Sequence, residues 1–116
     1  MKIESMKRNK KIYISGPITG VPGAISAAHF ARAEQDLRAA GYKYVINPRA
    51  MFEGTGLTWD EIMAHCLDLV KASDMIVLLP GWQKSRGVTM EIGAAYALGI
   101  PVHEYRRRIT VTIEEI

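Results

Sequence analysis

Residues 74–80 read DMIVLLP: an acidic residue, five apolar residues without a break, then a proline. A strand with one wet face alternates apolar and polar side chains. A strand covered on both faces does not, so this run predicts a central strand of a parallel sheet, stopped by Pro80. Parallel neighbours need crossovers, usually helical, so the fold class turns on what flanks the run.

Upstream, residues 11–15 (KIYIS) form a short β-rich run that enters the glycine-proline loop GPITG. After that loop Phe30, Ala33, Leu37 and Ala40 recur at helical spacing, and Gly41 is placed to end the helix. Residues 42–48 (YKYVINP) read as a second strand halted by Pro48. Thr58 and Glu61 have the spacing of a capping box, so a helix is expected to start there. Trp59, Ile62, Met63, Cys66, Leu69 and Val70 are expected to line its buried face. Downstream, residues 81–85 (GWQKS) are a loop, and residues 87–98 are helical, closed by Gly99 and Pro101. PVHEY (101–105) and RITVTI (108–113) supply the last candidate strands.

The order β-α-β-α-β-α-β-β implies an α/β chain. The expected architecture is a single-domain, doubly wound (flavodoxin/Rossmann-like) and mostly parallel sheet of four to five strands, with helices on both faces. Residues 1–10 read as a flexible basic lead-in and residues 11–116 as the domain.

Composition fits that reading. The chain has 116 residues, 48% hydrophobic and 23% charged, as in a folded protein rather than a disordered one. One cysteine, Cys66, excludes an internal disulfide and a cysteine-built zinc site, and with no secretory segment in view a reducing cytoplasm is expected. No apolar run approaches a membrane span. The net charge of +3 gathers in Lys2, Lys7, Arg8, Lys10 and Lys11 and again in Arg106, Arg107 and Arg108. No aromatic residues interleave the first cluster, so it reads as a solvated tail, and a nucleic-acid partner is not expected.

In open α/β sheets, ligands bind beyond the carboxyl ends of the strands. Loops 16–23, 48–57 and 80–87 therefore frame the candidate site. The first, with its glycines, is either an anion-receptive turn or simply a tight strand-to-helix connection; it matches neither a P-loop nor a GxGxxG fingerprint. In the third, Ser85, Arg86 and Gly87 stand where a helix begins, and a helix start favours a negative ligand. Glu91 lies one to two turns inside that helix. It is either a catalytic carboxylate, kept ionised by the helix start, or a solvent-facing charge that complements the dipole. Trp82 is placed to stack on a base or to anchor the strand end, and Asn47 to contact a base or to form an Asn-Pro turn. Asp74 reads as structural, and His29 and His103 as surface or packing residues.

IYISGPITG and SDMIVLLPGWQKSRGVTMEIGAAYALGIPV together resemble the nucleoside 2-deoxyribosyltransferase-like superfamily. The similarity runs from about Lys11 to Val102. It is nearest to a branch of small bacterial and phage proteins with an LLPGW-x-x-SRG signature. The resemblance implies that Glu91 is a nucleophile that attacks the anomeric carbon and forms a covalent glycosyl-enzyme, resolved by water or by a second base, with Tyr13 holding the glutamate. It also relates the chain to the 2′-deoxynucleoside 5′-phosphate N-hydrolases. Those carry a serine six positions before the nucleophile, as Ser85 stands here, where the transferases acting on free nucleosides tend to carry aspartate. A carboxylate there would repel a phosphate, whereas a hydroxyl at a helix start would receive one. Gly16, Ile18, Thr19 and Gly20 match the loop that closes over the nucleotide.

One position departs from the pattern: Cys66 occupies the place where the superfamily usually has an aspartate near the leaving base. A thiol is a poor acid for protonating a base at neutral pH. The expected function is cleavage of the base–sugar bond in (deoxy)nucleoside 5′-monophosphates. Deoxyribosyl transfer and a nucleotide-binding module without turnover are the alternatives. No cofactor or metal is expected. The expected partners are a small nucleotide or nucleoside and, as in relatives of this size, further copies of the chain in a homodimer or higher oligomer.

Overall fold

The computed structural model describes residues 9–106. Four strands carry the fold: β1 (Lys11–Ser15), β2 (Tyr44–Ile46), β3 (Met75–Leu78) and β4 (Val102–Glu104). The helices between them are α1 (Gly23–Ala39), the single-turn α2 (Pro48–Met51), α3 (Trp59–Lys71) and α4 (Arg86–Leu98), with a 3-10 turn at Trp82–Lys84. All strand pairs are parallel, in the order β2-β1-β3-β4. The expected doubly wound α/β sheet is therefore present. The candidate strand at 108–113, the arginines 107 and 108, and the first eight residues of the lead-in lie outside the described residues.

Strand periodicity distributes the core. Ile12 and Ile14 of β1 and Met75 and Val77 of β3 point to one face, where Phe30, Ala33 and Leu37 of α1 cover them. Tyr13 of β1 and Ile76 and Leu78 of β3 point to the other, against Cys66 and Val70 of α3 and Val88 and Ala95 of α4. All four residues of β3 are buried, as an unbroken apolar run requires. Each fully buried aliphatic side chain in these layers contributes about 1.5–3 kcal/mol by leaving water.

Local signals set the ends. Thr58 Oγ1 accepts the Glu61 N–H while Glu61 Oε1 accepts the Thr58 N–H, the full capping box, worth about 1 kcal/mol. Asp74 Oδ2 accepts the Lys11 N–H at 2.8 Å, tying the starts of β1 and β3. Two readings need correction. Trp59 is exposed at the start of α3 rather than in its buried face. The turn α2 was not anticipated, because Pro48 marks the end of a strand and the start of a helix equally well.

The sheet order has a functional consequence. In a 2-1-3-4 sheet the crossovers that follow β1 and β3 run to opposite sides, and a crevice opens at the carboxyl ends of these two strands.

Candidate active site

At that crevice lies a cavity of about 610 Å³, within the roughly 300–1,000 Å³ range of small-molecule sites. Tyr13, Glu91 and Cys66 contribute to its lining from the sheet and the two helices of one face. Ile18 and Thr19 come from the β1–α1 loop, and Ser85, Arg86 and Gly87 from the start of α4. Loop 48–57 and the start of α3 add Arg49, Phe52, Glu53 and Trp59.

Glu91 is buried, 5% exposed, which removes the reading of it as a solvent-facing charge. Two hydroxyls hold its carboxylate: Ser15 Oγ donates to Oε1 at 2.6 Å, and the Tyr13 hydroxyl donates to Oε2. Alternation along β1 puts Tyr13 and Ser15, two residues apart, on the same face beneath α4. Ser15 is a partner of this carboxylate that the sequence reading did not single out; its spacing from Tyr13 puts the two on one face but does not reveal the distant Glu91.

Burial works against the expected effect of the helix start on Glu91. Desolvation pushes its carboxyl above the ordinary glutamate value, and the hydrogen bonds from Ser15 and Tyr13 pull it back only in part. Tyr13 moves far upward, first through burial and then through the charge of Glu91, so its proton stays in place to donate. Burial pushes the Cys66 thiol up to about 11, so it is neutral at pH 7.

The rim is basic where the helix starts. Ser85 caps α4, its Oγ accepting the Val88 N–H at 3.2 Å, which leaves its own proton for a ligand. Arg86 follows at the first helical position, where a cation opposes the helix dipole and so does not serve the helix. Its guanidinium instead lies 4.7 Å from the ring centre of Trp59, linking the starts of α3 and α4.

Glycines let the walls approach. A Cβ on Gly16 would stand 2.7 Å from Leu79 Cδ1, so only glycine lets the end of β1 pass beside β3. On Gly87 it would stand 3.2 Å from Met63 Sδ, where α3 and α4 come together.

Three proposed binding residues sit elsewhere. Asn47 caps α2, its Oδ1 accepting the Ala50 N–H and its Nδ2 donating to Glu34, and it does not line the cavity. Its turn chemistry won. Trp82 packs beside the second core layer and donates from Nε1 to Glu104 Oε1 at 2.9 Å, again away from the lining. Gly20 turns the β1–α1 loop at φ 82° and also lies outside the lining. The aromatic residues of the cavity lining are Tyr13, Phe30, Phe52 and Trp59, with Phe52 stacked on His65 at 5.6 Å. Among the described residues no group of three or more His, Cys, Asp or Glu side chains is arranged to hold a metal. Among them, too, no helix is long and apolar enough to cross a membrane.

The fold has a solved counterpart. The structure of a 2-deoxyribosyltransferase from the psychrotolerant bacterium Bacillus psychrosaccharolyticus superposes with a TM-score of 0.64 and 26% sequence identity. The match covers 81% of this chain and 70% of that one. That protein is described as a biocatalyst for the synthesis of antiviral and antitumoral nucleosides. No curated protein matches the chain. Residues 10–104, which include the four described strands and the whole cavity lining, match the model of a family described as a domain of unknown function, DUF4406, and the chain belongs to that family.

Proposed function

We propose that the protein is an N-glycosidase of the deoxyribosyltransferase-like kind, cleaving the base–sugar bond of (deoxy)nucleoside 5′-monophosphates. The observation that carries this reading is Glu91, a buried carboxylate fixed by two hydroxyls at a small-molecule cavity whose rim is a helix start. The likeness to a 2-deoxyribosyltransferase supports chemistry at a glycosidic carbon. Ser85 in the 81–87 loop, six positions before Glu91, supports the phosphate-bearing substrate.

In this mechanism the 5′-phosphate rests on Ser85, Gly87 and Arg86 at the start of α4. The sugar then lies over Glu91. Glu91 Oε attacks the anomeric carbon as the bond to the base breaks, the bonding pair leaving with the base. Tyr13 and Ser15 hold the carboxylate in line. Water then attacks the glycosyl ester, its hydroxyl going to the sugar and its other proton to the departed base. Glu91 is restored as a carboxylate.

The test is release of free base from a panel of ribo- and deoxynucleoside monophosphates and nucleosides, followed by chromatography. Monophosphates are expected to be the better substrates. Glu91→Gln is expected to lower turnover on the order of 10⁴-fold, as loss of a nucleophile does. Full turnover by that variant would remove Glu91 from the chemistry. Deoxyribosyl transfer is the second reading, favoured by the activity of the structural neighbour, and a new nucleoside formed when a second base is added would establish it. Binding without release would point instead to a nucleotide-binding module, the reading that the neutral Cys66 favours.

A further inference from the structure

Arg49 is a cavity residue that the proposed mechanism leaves unused. Its side chain is 17% exposed, yet its guanidinium is only partly satisfied. Nη1 donates to Glu53 Oε1 at 3.2 Å, and Nη2 donates to the Gly23 carbonyl at 3.3 Å. Nε is buried without a hydrogen-bond partner. The counter-charge is weak, because the Glu53 side chain is 63% exposed and its field is screened by water. Of the five guanidinium N–H groups three are unpaired, the buried one on Nε and one on each Nη, the latter two left to meet a ligand. Held from two sides, by α2's neighbour Glu53 and by the start of α1, the group is fixed in place.

The sheet order locates it relative to the rest. Arg49 follows β2, on one side of β1, whereas Ser85 and Arg86 follow β3, on the other. Tyr13, Ser15 and the carboxylate of Glu91 lie between. A ligand with its anionic end at the start of α4 and its sugar over Glu91 therefore extends its third part toward Arg49 and the Phe52 ring. Cleavage makes that third part electron-rich, and Cys66, with its thiol raised to about 11, does not protonate it near neutral pH.

We propose that Arg49 recognises the leaving base and stabilises the negative charge it gains, donating its two free N–H groups to a ring nitrogen or carbonyl oxygen on the base edge. The inference rests on the glycosidase reading. It makes the preferred substrates those whose base presents a carbonyl there, such as hypoxanthine or guanine, over adenine, whose amino group would meet the guanidinium donor to donor. The C1′–N bond breaks with its pair going to the base. The base departs as an anion paired with Arg49 and takes its proton from the water that resolves the glycosyl ester, so no external acid is consumed.

The experiment compares two leaving groups. Wild type and Arg49→Met are assayed on 2′-deoxyinosine 5′-monophosphate and on N7-methyl-2′-deoxyguanosine 5′-monophosphate, whose base leaves without negative charge. The variant is expected to lose about 100-fold in kcat/KM on the first and only about tenfold on the second, which keeps the recognised carbonyl but gains no negative charge. Arg49→Lys, which keeps the charge and loses the fork, is expected to fall between them and controls for folding. Equal losses on both substrates overturn the inference while leaving the glycosidase reading intact. Should wild type cleave neither, calorimetric titration with hypoxanthine and adenine decides the matter. A hypoxanthine preference erased in Arg49→Met upholds base recognition by Arg49 even as the hydrolase reading fails, and no preference sinks both.

Discussion

The two faces of β1 make opposite use of neighbouring residues. Ile12 and Ile14 point into an apolar layer against α1, held by removal of surface from water, although Ile14 also reaches the cavity lining. Tyr13 and Ser15, interleaved with them, point beneath α3 and α4 and spend their hydroxyls on a buried carboxylate. One face holds the molecule together. The other carries a charge that burial disfavours and that the rest of the fold must tolerate. A five-residue strand thus couples core and site with no intervening structure, and the coupling can be tested one residue at a time.

The largest effect on the α1 face is expected at Ile12, fully buried and absent from the cavity lining. Ile12→Ala removes three buried carbons and leaves a void, a loss of about 2–5 kcal/mol in unfolding free energy. Urea melts measure this directly, and the activity of the folded fraction is expected to match wild type. A change in kcat/KM beyond the folded fraction would mean that the two faces do not separate as described.

Tyr13→Phe tests the other face. It keeps the ring and its packing but removes one of the two donors to Glu91. A hydrogen bond to a charged group is worth about 1.5–3 kcal/mol, so turnover is expected to fall roughly 10- to 150-fold. The pH profile carries the sharper signature. In the proposed mechanism Glu91 attacks as the carboxylate, so activity is expected to rise with pH through its carboxyl value, which already stands above the ordinary one. With a donor lost, the acid limb of kcat/KM moves to higher pH. A drop in rate with an unmoved limb would show that Tyr13 positions the site without setting its charge.

How much of this was legible beforehand follows from which signals are local. The unbroken run at residues 75–79, the Thr58/Glu61 box and the helical spacing of Phe30, Ala33 and Leu37 each depend on neighbours in sequence, and each reads correctly. Glu91 and Ser85 were reachable because a helix start has its own signature. Ser15 and Arg49 were not. Ser15 looks like any strand-end serine until the α4 carboxylate is seen against it, 76 residues away. Arg49 sits in a four-residue helix whose start doubles as a strand stop, and only the cavity relates it to Glu91. Trp82 and Asn47 lie outside the cavity lining for the complementary reason. Each is of the right residue type on the right loop, but Glu104 and the backbone of α2 engage their polar atoms first.

The smallest expected effect is on stability, and it has the least intuitive sign. Because Glu91's value is raised in the fold, the folded protein holds its proton more tightly than the unfolded chain does. Stability attributable to this group therefore falls as pH climbs from the ordinary value of 4.5 through the raised one, and the full penalty persists above it. Glu91→Gln supplies a neutral side chain with one acceptor and one donor, close in shape to the protonated acid, and carries no such penalty. At pH 7.5 the variant is expected to melt a few degrees higher than wild type, although it has lost its activity. At pH 4, where wild-type Glu91 is itself protonated, the gap is expected to close. Melting curves at the two pH values separate this from simple repacking, which would shift both equally. A gap that closes with acid identifies the charge itself as the destabilising element, the counterpart of the apolar layer on the opposite face of β1.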